Sequence, residues 1–95
     1  MKPFTQRPLT TAQATSTGTA DTKSFAAPSK AGGCFITVET NPARVTLDGT
    51  TPAAGAGIVI PKDSAPVFIP VGSGTTIKAA STIAGNSIIN VVWLA

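Results

Sequence analysis

The 95-residue chain contains no histidine, and that removes the commonest general base, the commonest metal ligand and every Ser-His or Cys-His nucleophile pair. Its single cysteine, Cys34, excludes a disulfide framework and, without histidine, leaves no ligand set for zinc or iron. Residues that carry charge are scarce at 12% of the chain, with only four carboxylates: Asp21, Glu39, Asp48 and Asp63. The longest strongly apolar run is IINVVWLA, residues 88–95, far short of the ~20 residues of a membrane helix. A secretory leader is not expected, because the residues after Lys2 are polar and hold two prolines where an apolar stretch belongs. No window of a dozen residues combines helical periodicity with a cap.

What remains divides at Gly33. Residues 1–33 are rich in Thr, Ala, Ser, Pro and Gly, with Phe4, Leu9 and Phe25 as the large apolar side chains. Ordering them at ~1–2 kcal/mol per residue totals roughly 30–60 kcal/mol, beyond what three anchors offset, so an extended arm, disordered when free, is expected over 1–33. The arm carries Lys2, Arg7, Lys23 and Lys30 against Asp21, while the charges of residues 34–95 balance. The net charge of +3 therefore sits on the arm and suits an acidic protein surface. Nucleic acid fits poorly, since the cations form no cluster and no aromatics interleave with them.

Residues 34–95 read as an all-β body. CFITVET alternates, with Cys34, Ile36 and Val38 on one face. ARVTLDG follows with Val45 and Leu47 opposite Arg44, Thr46 and Asp48, and a turn through Pro42 predicts a hairpin between the two. Asp48-Gly49 favours a turn, and Pro52 keeps the chain after it out of a ladder. GIVI and VFI give two short strands around PKDSAP, and TTIKAAS and SIINVVWLA complete about six. The expected fold is a small antiparallel β-sandwich or partly closed barrel. The last strand is apolar on both faces, so Val91 and Trp93 belong to a core or subunit interface together with Ile36, Val38, Val45 and Leu47.

Candidate chemistry has bland competitors. Glu39 and Asp48 on neighbouring strands would imitate a glycosidase pair, but a turn aspartate and a solvent-facing glutamate explain both. GAG and GSG lack the lysine and following helix of a phosphate loop. Lys62 and Lys78 read as surface cations, and Cys34 as a small buried residue rather than a reactive thiol. No cofactor is implied. Trp93 as a sugar-stacking platform is the glycan-binding alternative.

The stretch VTLDGTTPAAGAGIVIPKDSAPVFIPVGSGTTIKAAST, and LDGTTPAAGAGIVI at residues 47–60 above all, resembles small β-rich structural proteins of tailed bacteriophages, in particular lambda-type head-decoration (cement) proteins. The resemblance implies a non-enzymatic virion protein, made in the host cytoplasm and placed on the capsid surface. It further implies a homo-oligomer, with a trimer favoured, whose arm lies along the major capsid protein. A head-fibre, neck or tail module is the companion expectation. An arm of 30 residues reaches up to ~100 Å and can add as a strand to a neighbouring sheet, with Phe4, Leu9 and Phe25 filling pockets.

Overall fold

The computed structural model describes residues 8–53 and 55–95. Among them, eight strands form two four-stranded antiparallel sheets. The strands are β1 (Pro8–Ser16), β2 (Lys23–Ala26), β3 (Gly33–Glu39), β4 (Ala43–Thr46), β5 (Ile58–Ile60), β6 (Val67–Ile69), β7 (Thr76–Ser81) and β8 (Ser87–Leu94). Sheet A has the order β1-β8-β3-β6 and sheet B the order β2-β7-β4-β5. Every link except β4–β5 passes from one sheet to the other, and β1 pairs β8, β2 pairs β7, β3 pairs β6 and β4 pairs β5. This is the jelly-roll winding of a β-sandwich, open rather than closed into a barrel.

Alternation along the strands builds the core between the sheets. Cys34, Ile36 and Val38 of β3 lie in register with Trp93, Val91 and Ile89 of β8, and all six are buried. Sheet B answers with Ala43, Val45, Ile60, Ile77 and Ala79. β8 is central in sheet A, which explains why its second face, Ile88, Asn90 and Val92, is half-buried as well. Trp93, 2% exposed, is a core residue and offers no platform to a sugar.

Three expectations are corrected. Residues 8–26 are not an arm outside the body: β1 and β2 pair with the central strands β8 and β7 of the two sheets, and the expected boundary at residue 33 falls at the first residue of β3. The ordering entropy is met by ladder hydrogen bonds and by small side chains, Ala12 and Ala14, that lean on the core, and Phe25 is itself 5% exposed inside it. Residues 33–95 hold the expected six strands, β3 to β8, and β1 and β2 bring the total to eight. The hairpin between residues 34–39 and 44–48 does not form, since β3 and β4 lie in opposite sheets. Thr40 adopts a left-handed φ of 79°, and the Ser87 hydroxyl donates to the carbonyls of Asn41 and Pro42 at 2.7 and 3.1 Å, so the short link arches across the sandwich. Leu47 lies beyond the end of β4 and is 39% exposed, outside the core.

Candidate interaction surface

The outer face of sheet A carries an apolar strip. Register places Thr11, Val92, Phe35 and Phe68 in one row across all four strands. Phe35 and Phe68 are 38% and 42% exposed, and their rings meet edge to face with centroids 5.4 Å apart. Phe68 lies over Gly33: a Cβ at that glycine would sit 2.6 Å from the ring, so the absent side chain makes room for the aromatic. Pro66 and Val92 join Phe35, Thr37 and Asn90 around a shallow cleft of about 220 Å³.

A polar ladder runs beside the strip. Gln13 donates through Nε2 to Asn90 Oδ1 at 2.7 Å, and Asn90 Nδ2 donates to Thr37 Oγ1 at 3.3 Å and Glu39 Oε2 at 3.0 Å. The amides thus link the side chains of β1, β8 and β3 into one hydrogen-bonded row next to the aromatic pair. An apolar strip with a polar, hydrogen-bonded border has the layout of a protein-binding surface, an apolar centre with a polar rim.

The remaining expected site residues are dispersed. Leu9 is exposed on β1, whereas Phe25 is buried in the core and cannot fill a partner's pocket as expected. Lys23 makes a 3.3 Å ion pair with Asp21. Asp21 also accepts hydrogen bonds from the Thr17 amide (2.9 Å) and hydroxyl (3.0 Å), which hold its carboxyl below the ordinary range. Lys30 stands exposed in a turn with a left-handed φ of 73°. Lys2, Phe4 and Arg7 lie outside the described residues.

At the far end of sheet B, hydrogen bonding from the side chain and then the backbone amide of Thr50, the amide 3.0 Å from Asp48 Oδ1, lowers the pKa of Asp48, and Gly49 takes a φ of 86°. Lys78 donates to the Gly49 carbonyl at 3.0 Å, Thr46 donates to the Thr50 carbonyl, and Pro52 is buried. This corner is a self-capped turn. Glu39 belongs to the outer face of sheet A and Asp48 follows β4 of sheet B, so the two carboxylates do not face each other across neighbouring strands. Among the described residues no three of His, Cys, Asp and Glu gather as a metal site.

Sequence reasoning passed over Phe35 and Phe68. The available signal was alternation itself, which sets Phe35 on the same face as Thr37 and Glu39, away from the core row. An aromatic on the solvent parity of a strand is the residue to question. No family model, curated protein or solved structure matches the chain.

Proposed function

We propose that this chain is a non-enzymatic structural subunit of a virion, a decoration protein that binds the major capsid protein and reinforces the shell. The observation that carries the reading is the exposed Phe35–Phe68 strip on a sandwich that already has a complete core of its own. Paired aromatics on a sheet face have the character of binding hot spots, and a partner seated there would bury both rings. The likeness of residues 47–60 to lambda-type decoration proteins points to the capsid as that molecule. Jelly rolls serve in viral capsids and in lectins alike, so the winding is compatible with the reading without selecting it. With residues 8–33 built into the sandwich, attachment is assigned to the outer face of sheet A rather than to a long arm.

The test is cosedimentation with tailed-phage heads that lack the protein, comparing the wild type with F35S/F68S. Losing two anchors at ~2 kcal/mol each weakens binding by well over a hundredfold. Equal binding by both proteins, or no binding by either, would overturn the proposal.

A further inference from the structure

An open sheet edge templates further pairing, and three of the four edges in this sandwich are blunted. β6 has three residues set between Pro66 and Pro70. β5 has three residues and is followed by Pro61. β2 has four residues and carries Lys23. The fourth edge, β1, has nine residues, no charge, and a proline only at its first position. After an irregularity between Pro8 and Thr10 it follows β8 in unbroken register from Thr10 to Ser16. On its other side the alternate N–H and C=O groups of residues 9–16 have no backbone partner among the described residues.

The sequence of this edge is symmetric. Residues 11–15 read Thr-Ala-Gln-Ala-Thr, the same in both directions, and Thr10 and Ser16 extend the symmetry with a hydroxyl at each end. Antiparallel pairing of two such strands about a two-fold axis through Gln13 sets Thr11 opposite Thr15, Ala12 opposite Ala14 and Gln13 opposite itself. Every pair then joins like with like, as a self-complementary two-fold interface requires. Thr11, Gln13 and Thr15 share the outer parity and form the hydroxyl and amide pairs that favour cross-strand contact. Ala12 and Ala14, half-buried against the core at the open side of β1, gain cover from the second copy.

We propose that the chain self-associates through β1, joining two copies of sheet A into one continuous eight-stranded sheet. The interface stands on strand geometry and sequence symmetry and does not depend on the virion reading. It leaves Phe35 and Phe68, two and three strands away, uncovered on each copy.

Sedimentation equilibrium of the purified chain is expected to give twice the 9.5 kDa of one chain. T11K/T15K sets lysine against lysine at both equivalent pairs and is expected to weaken association roughly tenfold or more. T11K/T15E sets opposite charges face to face at the same pairs and is expected to restore the dimer. Wild-type chains that stay monomeric at millimolar concentration would overturn the proposal, as would a dimer indifferent to T11K/T15K. Failure of T11K/T15E to associate better than T11K/T15K would overturn the register. Hydrogen exchange on the wild-type chain gives an answer without any variant. The β1 amides that point away from β8 are expected to be protected only at concentrations where the dimer forms, and protection independent of concentration would refute the interface.

Discussion

Replacing Ser16 with alanine removes one oxygen atom from the sandwich and is expected to destabilise all of it. Ser16 is fully buried at the end of β1, and its hydroxyl oxygen accepts a hydrogen bond from the Ser81 amide of β7 at 2.9 Å. The same hydroxyl faces the carbonyls of Asp21 at 2.7 Å and Gly18 at 3.0 Å, so it can donate to the link leading into β2. One side chain thereby clasps sheet A to sheet B. In Ser16→Ala the Ser81 amide is left buried without that acceptor, a defect of ~1–3 kcal/mol, and the link loses its tie to β1. The expected loss is about 2 kcal/mol, or a fall in Tm of about 8–16 °C for a domain of this size at roughly 4–8 °C per kcal/mol. Urea unfolding followed by the fluorescence of Trp93, buried in the core, reads the effect, with the midpoint lowered and the slope unchanged. Ser24→Ala, at an exposed position of β2, is the control and stays within about 0.5 kcal/mol. A Ser16→Ala midpoint indistinguishable from wild type would refute the reasoning, since it would mean that β1 lies outside the cooperative unit.

Two further perturbations follow from the same packing. Burial pushes the Cys34 thiol up to about 11, from an ordinary value near 9.0, so the neutral thiol favours the folded state. Its contribution is complete below pH 9 and is lost as pH rises through about 11; a disulfide-exchange reagent should therefore modify Cys34 stoichiometrically only in denaturant, and rapid labelling of the native protein would contradict its placement. Gly57 has a φ of 105°, and an added Cβ would stand 2.5 Å from the Val45 carbonyl oxygen, a backbone atom with no room to withdraw. Gly57→Ala is accordingly expected to lower stability by ~2–3 kcal/mol in thermal unfolding, whereas an unchanged Tm would show that the β4–β5 connection is free to rearrange.

The parts of the fold written in side-chain alternation were legible in the sequence. Cys34, Ile36 and Val38 announce the inner row of β3, and the two-faced apolar run at residues 88–94 announces a central strand. β1 and β2 were not legible, because their contribution is made through backbone hydrogen bonds that Thr, Ala and Ser supply as well as Val or Ile. Sheet membership was hidden for another reason. A link as short as Thr40–Pro42 resembles a hairpin turn until the left-handed Thr40 and the bonds from Ser87 carry β4 to the opposite sheet. Leu47 keeps the parity of a core residue but lies one position past the strand, where the chain has turned away at Asp48-Gly49. The Thr-Ala-Gln-Ala-Thr symmetry is plain in the sequence, yet it acquires meaning only once β1 is known to be a long, unblunted edge.

The most direct test is a cryo-EM reconstruction of decorated heads at a resolution that distinguishes the two sheet faces. The outer face of sheet A is expected against the major capsid protein, with Phe35 and Phe68 buried at the contact and sheet B toward solvent. Decorated heads in which Phe35 and Phe68 face solvent, or heads that carry no density for this chain, would contradict the assignment.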